Sequence, residues 1–379
     1  MNRFKLLDGL RAVAVLFVLI EHLAVPIGSR ISAGYYGVDL FFVISGFLIT
    51  GILVRTKEPF GPAYAKFLGR RTLRIFPLYY CTIFLLIAFS NEAAKKYFIY
   101  IVTYTFNYAI VDFHIPNNSI IHFWSLCVEE QFYLFWPFVV LCLRNSLGIL
   151  KIVILTLIIF CYAQGYFDII PEMAKYNAYA LIPRMSSLAL GALGAVLVNE
   201  NKIPAGLLND KRLEWLALGL LSFFLITKYE LKYLICPLVS LFLILKASHN
   251  GFRIKTINTF LGKRVLVYIG SISYGIYLFH LPIANYLTNH VFDPLIWNKI
   301  GWDSLGPLAK LKWNSWIVKL PLYGSITCLI AHISFKYLET PILSLKDKWF
   351  GASPVKYITE TEKDKEVGIP AAVAVENRK

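Results

Sequence analysis

The sequence is poor in charged residues. Only 16% of its 379 residues are Asp, Glu, Lys or Arg, whereas a soluble domain carries about 25%. Apolar residues make up 57% of the chain, and the mean hydropathy is +0.59. Apolar runs of about 15–20 residues recur along nearly the whole length, which is typical of a protein with several membrane-spanning helices. The long polar surfaces that a soluble protein of this size needs are missing.

Acidic residues are the scarcer charged class. The chain has 23 Asp and Glu against 38 Lys and Arg, which gives a formal net charge of +15. In a membrane protein such an excess indicates basic loops held on the cytoplasmic side. We therefore expect the lipid bilayer as a partner and no nucleic acid.

Cysteine motifs and a cleavage site are missing too. The six cysteines are scattered without a CxxC pair and lie mostly in apolar runs, so we interpret them as small hydrophobic residues. We expect no disulfide framework and no metal site. The first apolar run has no clean small-residue cleavage site, which favours a first span over a signal peptide.

Eleven apolar segments are candidate spans: 9–27, 34–54, 75–91, 97–111, 131–144, 150–166, 180–198, 213–228, 231–247, 266–290 and 315–338. The loops 55–74 and 246–264 are both basic and should both be cytoplasmic. One segment between them must therefore fail to cross. Segment 97–111 is short and interrupted by polar residues, and we expect it to be re-entrant or interfacial.

The topology that follows is an all-α integral membrane protein with about ten transmembrane helices and both termini in the cytoplasm. Residues 1–345 would form the membrane-embedded domain. Residues 346–379 are hydrophilic and would form a disordered cytoplasmic tail.

Arg11 and His22 lie eleven residues apart in the first candidate span. Eleven helical residues advance about 16 Å and make three turns plus roughly 20°, so both side chains share one face. Ionisable residues inside spans are costly and usually functional. The position of each other polar residue along its candidate helix predicts how deep in the membrane that residue lies. The outer half would hold His22, Asp39, Glu129, Glu130, Arg184 and His280, and the inner side Arg11, Arg70, Arg71 and Arg74.

These residues also have purely structural interpretations. A buried histidine such as His280 often bonds a neighbouring carbonyl, and Asp39 can pair with a buried arginine. Glu129 and Glu130 can cap the following helix, where negative charge is favourable. The arginine cluster can be a topology signal or a contact for anionic lipid.

The functional interpretation assigns two kinds of chemistry to the two depths. Arginines suit a phosphate-bearing ligand because they offer planar, paired donors. A histidine with carboxylates suits general-base catalysis on a hydroxyl. A ligand that is anionic at one end and reactive about 15–20 Å away would connect the two levels. Coenzyme A has this shape.

Six stretches, in this order, resemble the acyltransferase family 3 membrane proteins: LDGLRAVAVLFVLIEH, YYGVDLFFVISGFLIT, RRTLRIFPLYY, HFWSLCVEEQFYLFWP, SISYGIYLFHLP and YLETP. The resemblance implies a protein of the bacterial inner membrane that moves an acyl group, usually acetyl, from cytoplasmic acetyl-CoA or another acyl-CoA. The acceptor would be a hydroxyl of an extracytoplasmic carbohydrate or glycolipid. A subgroup carries a fused SGNH-type hydrolase domain, which is not expected here, so a separate periplasmic or glycan-assembly partner stays open.

The resemblance also implies residue roles. His22 matches the catalytic histidine and Arg11 its paired arginine. Donor binding is implied for Arg70, Arg71 and Arg74. Asp39, Glu129 and Glu130 would assist His22, and substrate contacts would come from Trp124, Ser125, Tyr133, Tyr274 and His280.

Direct transfer is the resulting hypothesis, with His22 as general base oriented by Asp39 or a glutamate. An acyl-histidine intermediate is a variant of this mechanism. A multi-span transporter is the alternative from another class, although the two halves of the sequence show no internal symmetry.

Overall fold

The computed structural model describes residues 3–24, 31, 33–116, 118–176, 179–227, 231–249, 251–291 and 316–351. Throughout these ranges the backbone is helical with short connections, and they contain no strand. The predicted all-α class is confirmed. Most of the predicted tail, residues 352–379, lies outside the described residues, and its separation from the membrane domain stays a prediction.

The helices in the described ranges follow one another along the chain as α1 (Arg3–Leu23), α2 (Ala33–Arg55), α3 (Phe60–Ala88), α4 (Glu92–Lys96), α5 (Phe98–Val102), α6 (Phe106–Asp112), α7 (Phe123–Leu143), α8 (Leu147–Phe167), α9 (Pro171–Ala174), α10 (Leu181–Asn199), α11 (Ala205–Asn209), α12 (Lys211–Ile226), α13 (Lys232–Ser248), α14 (Lys255–Leu261), α15 (Arg264–Ser271), α16 (Ser273–Tyr286), α17 (Trp316–Ser334) and α18 (Thr340–Phe350). A π-helical turn over Phe335–Glu339 joins α17 to α18.

Within the described residues, four helices are long and apolar enough to cross a membrane, namely α2, α3, α7 and α8. A fifth candidate span combines α15 with Ser273–Val291 across a bend of 71°. Apolar side chains on the outside of the bundle, such as Phe135 at 60% exposure and Ile159 at 67%, suit lipid better than water. The chain is a multi-pass membrane protein. The predicted total of ten spans and the cytoplasmic termini stay predictions.

Most predicted apolar segments coincide with helices, because a long apolar run favours helix in a membrane. Segment 34–54 is α2, segment 150–166 is α8 and segment 180–198 is α10. Segment 97–111 contains the short helices α5 and α6, of five and seven residues. Neither is long enough to cross a bilayer.

One local expectation is wrong. The basic stretch 55–74 is not a loop, because α3 begins at Phe60, directly after Pro59. Its arginines have long unbranched side chains that favour helix. Segment 266–290 stays a candidate span, but it is bent, because the helix is interrupted at Ile272 between α15 and α16.

Glycine lets α2 and α10 pack closely. A Cβ placed on Gly46 would lie 1.9 Å from the carbonyl oxygen of Leu188, and one on Gly191 would lie 2.1 Å from that of Val43. Small residues allow such approach between membrane helices. The opposite side of α2 packs on α1, so α2 is held between the two helices.

A buried ion pair joins α12 to α13. The ammonium of Lys246 contacts the carboxylate of Glu214, and neither side chain has exposed surface. Lys246 also donates to the carbonyl of Leu208 at 2.6 Å. Glu214 accepts the backbone N–H groups of Arg253 and Ile254 at 2.7 and 2.8 Å. The pair therefore anchors the chain that leaves α13.

Candidate active site

The unbroken helix α1 carries both Arg11 and His22. Each residue lines a separate pocket, and the two pockets share no lining residue. Along the helix axis the two residues are about 16 Å apart. One helix therefore serves two polar sites.

The first pocket, which we call the arginine cavity, has a volume of about 130 Å³. Its charged lining residues come from three helices: Arg11 of α1, Arg71 and Arg74 of α3, and Glu129 and Glu130 of α7. Three guanidinium groups against two carboxylates suit an anionic ligand with hydrogen-bond donors of its own.

Polar groups in the arginine cavity divide into satisfied and unsatisfied ones. Ser45 Oγ donates to Glu129 Oε1 at 2.8 Å, and the hydroxyl of Tyr133 donates to Ser45 Oγ at 3.2 Å. Glu130 Oε1 and Ser273 Oγ are buried, and within the described part of the chain neither has a hydrogen-bond partner. Such atoms are costly to leave unpaired, which favours a polar ligand beside them.

Arg70 does not line the arginine cavity, unlike Arg71 and Arg74. Arg71 lies over the ring of Tyr133, with 5.1 Å from its guanidinium carbon to the ring centroid. Arg70 instead donates to the backbone carbonyls of Lys346 and Gly351. The three arginines expected to bind the donor therefore do not share one site. Successive side chains of the helix α3 point about 100° apart, so Arg70 and Arg71 face different parts of the molecule.

The expected outer position of Glu129 and Glu130 beside His22 is not found. Helix α7 begins at Phe123, eight residues before the predicted segment 131–144. Both glutamates therefore lie well inside the helix, where they do not cap its N-terminus, and they line the arginine cavity.

The second pocket, which we call the histidine pocket, has a volume of about 620 Å³, within the range of about 300–1,000 Å³ for ligand sites. Its polar lining mixes hydroxyl, amide and charged groups: Glu21, His22, Asn118, Ser119, Asn285, Thr288, Asn289, Lys319 and Tyr323. Asn289 Nδ2 donates to Asn285 Oδ1 at 3.3 Å. Such a lining suits a ligand rich in hydroxyl groups.

A wall of rings separates the two pockets. The hydroxyl of Tyr277 lies 2.5 Å from Ser125 Oγ, and both residues line the arginine cavity. That hydroxyl also donates to the carbonyl of His122 at 3.1 Å. The rings of His122 and His280 are 4.6 Å apart, and His280 contacts His22. The route from one pocket to the other therefore meets Tyr277, His122 and His280.

Three histidines meet at this wall without forming a metal site. His122 Nε2 donates to the carbonyl of Leu278 at 3.1 Å, and His280 Nδ1 donates to that of Tyr277 at 2.6 Å. Among the described residues, no group of three or more His, Cys, Asp or Glu side chains is arranged to hold an ion. The carbonyl contact anticipated for His280 is present.

Among the described contacts, Asp39 makes none to His22, and its catalytic role stays a prediction. Its carboxylate accepts a hydrogen bond from Ser187 of α10, and the side chain is 1% exposed. Arg184 lies between the rings of Tyr35 and Trp124 at 4.9 and 5.2 Å. Asp39 and Trp124 line neither pocket, since both face the interface with α10.

The remaining predicted substrate residues are divided between the cavity and the wall. Tyr133 and Tyr274 line the arginine cavity, and the hydroxyl of Tyr274 donates to the carbonyl of Ile75 at 3.1 Å. The hydroxyl of Ser125 is hydrogen-bonded to that of Tyr277. His280 is fully buried, and its ring lies beside that of Tyr277. The roles of all these residues stay predictions.

Sequence reasoning missed three residues that the structure brings to the site. His122 and Tyr277 form the wall, and Asn285 lines the histidine pocket. His122 opens the stretch HFWSLCVEEQ, and Tyr277 lies three residues before His280. The sequence signal that could have identified His122 and Tyr277 was their position as polar residues within or beside recognised motifs.

Comparison with known proteins now identifies the family. A family model described as an acyltransferase domain matches residues 4–335. The chain belongs to this acyltransferase family. The match covers every residue that lines the two pockets and five of the six motifs, while YLETP at 337–341 lies beyond it. The family resemblance is confirmed.

Relatives with assigned names are O-acetyltransferases. The peptidoglycan O-acetyltransferase OatA of Listeria monocytogenes is 29% identical over 371 residues, covering 89% of this chain and 55% of the relative. The O-acetyltransferase OatA of Staphylococcus aureus is 27% identical over 383 residues, covering 92% and 59%. The chain thus spans somewhat more than half the length of these relatives. No solved structure matches it.

Proposed function

We propose that this chain is a membrane O-acetyltransferase. It moves an acetyl group from acetyl-CoA, whose phosphates bind at the arginine cavity, to a hydroxyl of a cell-wall carbohydrate in the histidine pocket. The observation that carries the proposal is the pair of polar pockets on one helix, with Arg11 in the first and His22 in the second. The names of the relatives support acetyl transfer, and that of the Listeria protein supports peptidoglycan as acceptor.

Acetyl-CoA suits the arginine cavity chemically. Its phosphates would accept charge-assisted hydrogen bonds from Arg11, Arg71 and Arg74. Its pantetheine arm carries amides, which match the unpartnered Glu130 Oε1 and Ser273 Oγ. The arginine cavity would open to the cytoplasm, where CoA thioesters are made, and the histidine pocket to the outside.

Transfer follows from this arrangement. His22 takes the proton of the acceptor hydroxyl, the hydroxyl oxygen bonds to the acyl carbon, and the C–S bond breaks. CoA leaves as a thiolate, and the proton on His22 then passes to that thiolate or to water. Because Tyr277 and His122 lie between the pockets, these two side chains must move before thioester and hydroxyl meet.

The test is an acetylation assay on the full chain in proteoliposomes. Acetyl-labelled acetyl-CoA is supplied on one side and peptidoglycan fragments on the other, and covalent label in the glycan is measured. We expect labelled glycan, and we expect His22→Ala to abolish it while the protein stays folded.

The matched control is His249→Ala, because His249 lies outside both pockets and bonds the carbonyl of Leu245. Uptake of label without covalent transfer would favour the transporter. Native-rate transfer by His22→Ala would refute the proposed base.

A further inference from the structure

The contact between His22 and His280 joins two rings with different exposure. His280 has no exposed surface, whereas His22 is partly exposed and lines the histidine pocket. His280 Nε2 lies 3.1 Å from His22 Nδ1, and the ring centroids are 5.0 Å apart. The contact is short enough for a hydrogen bond, so one nitrogen must donate and the other accept.

Backbone contacts decide which nitrogen of His280 carries hydrogen. Its Nδ1 lies 2.6 Å from the carbonyl oxygen of Tyr277. A carbonyl oxygen can only accept, so Nδ1 of His280 donates and carries the hydrogen. Burying an imidazolium without a counter-charge is costly, which favours the neutral ring. Neutral His280 then presents a lone pair at Nε2, towards His22.

The same reasoning fixes His22. Its Nδ1 lies 3.1 Å from the carbonyl oxygen of Val18, one turn earlier in α1, and 3.1 Å from Nε2 of His280. Both neighbours are acceptors, so Nδ1 of His22 carries the hydrogen. In the neutral ring Nε2 is left as the basic nitrogen.

We propose that His280 is a positioning residue that holds His22 in the Nδ1-protonated tautomer and so leaves Nε2 to act as the base. This inference rests on the proposed function, because it assigns the nitrogen of His22 that takes the acceptor proton. When His22 becomes an imidazolium, its Nδ1–H still donates to His280 Nε2 and Val18 O, and both acceptors stabilise the positive charge. His280 thus takes the place that a carboxylate occupies in a serine–histidine–aspartate triad.

His122 differs from His280 although it lies beside it. Its Nε2 donates to the carbonyl of Leu278, and its ring contacts His280 at 4.6 Å. His122 packs on His280, and no hydrogen bond to His22 is present among the described contacts. The acceptor contact to His22 Nδ1 therefore distinguishes His280 from its neighbour.

Two variants at one position isolate that contact. His280→Gln and His280→Leu both lose the bond to Tyr277 O, but only glutamine offers an oxygen near the former Nε2. In the proteoliposome assay we expect kcat to fall about 10–100-fold in His280→Leu, part of the 10²–10⁴-fold that a general base contributes. Glutamine should restore kcat to within about threefold of native, with both KM values unchanged. Equal losses in the two variants, or no loss in either, would overturn the proposal.

A spectroscopic measurement needs neither a folded variant at position 280 nor any activity. The full chain is labelled with ¹⁵N-histidine, and His22→Asn assigns the signals of His22. We expect a protonated nitrogen at Nδ1 and an unprotonated one at Nε2. The opposite tautomer would overturn the inference even if acetyl transfer is observed. The expected tautomer without acetyl transfer would contradict the proposed function alone.

Discussion

Arg70 and Arg71 are adjacent in sequence but serve different parts of the molecule. Arg71 lines the arginine cavity and lies over the ring of Tyr133. Arg70 donates to two backbone carbonyls near the C-terminal end of α18, that of Lys346 inside the helix and that of Gly351 directly after it. The resemblance alone assigns the same role to both, and the structure separates them.

Replacing the two arginines one at a time tests this separation. We expect Arg71→Ala to raise the KM for acetyl-CoA about 10–100-fold, because a hydrogen bond to a charged group contributes about 1.5–3 kcal/mol. Arg70→Ala should change that KM by less than about twofold, because Arg70 does not line the cavity that would bind acetyl-CoA. Initial rates over a range of acetyl-CoA concentrations measure both values. Equal increases would contradict the division of the cluster.

Substitution of Asn285 tests the acceptor side. Asn285 lines the same pocket as His22. We expect Asn285→Ala to raise the KM for the carbohydrate about fivefold, because a neutral hydrogen bond contributes about 1 kcal/mol. The KM for acetyl-CoA should not change. An effect on the donor KM alone would show that the pockets are assigned the wrong way round.

Asp39 should act on stability rather than on catalysis. Its carboxylate bonds Ser187 across the contact between α2 and α10 and lines neither pocket. We expect Asp39→Asn to lower the melting temperature in detergent while kcat per folded molecule stays within about threefold of native. His22→Ala should show the reverse pattern. Loss of kcat at an unchanged melting temperature in Asp39→Asn would restore Asp39 to the active site.

The close contact at Gly46 predicts a steric effect. A Cβ at this position would lie 1.9 Å from Leu188 O, so Gly46→Ala must push α2 away from α10. Overpacking of this kind costs about 1–3 kcal/mol, and the melting temperature should fall.

Gly219→Ala is the matched control, because a Cβ there meets nothing within 4 Å. Alanine at that position should leave the melting temperature equal or higher, since helix interiors favour alanine over glycine by about 1 kcal/mol. A similar fall in both variants would mean that the close approach of α2 and α10 is not the cause.

The ion pair between Lys246 and Glu214 predicts a double-variant effect. Removing one partner leaves a buried charge uncompensated, so Lys246→Met should cost about 3–5 kcal/mol of stability. Adding Glu214→Gln removes the second charge and should recover part of the loss. Thermal unfolding of the three variants in detergent measures the coupling. Additive losses would contradict a direct interaction.

Much of the fold could be predicted from local sequence patterns. Apolar runs located α2, α8 and α10 to within a few residues, because helix formation in a membrane depends on neighbouring residues of one segment. The start of α7 was misplaced by eight residues, because Glu129 and Glu130 lie inside the helix and interrupt the apolar run. The arginine cavity accommodates both carboxylates, and an apolar run contains no information about such a cavity.

The sequence by itself determined the family, the helical membrane class and the placing of Arg11 and His22 on one helix, since spacing along a helix follows from its fixed geometry. Only the tertiary structure decided which side chains meet. His22 and His280 are 258 residues apart, Ser45 and Glu129 are 84 apart, and Asp39 bonds Ser187 rather than a histidine. Such contacts depend on how helices distant in sequence pack, and the periodicity of one segment does not specify them.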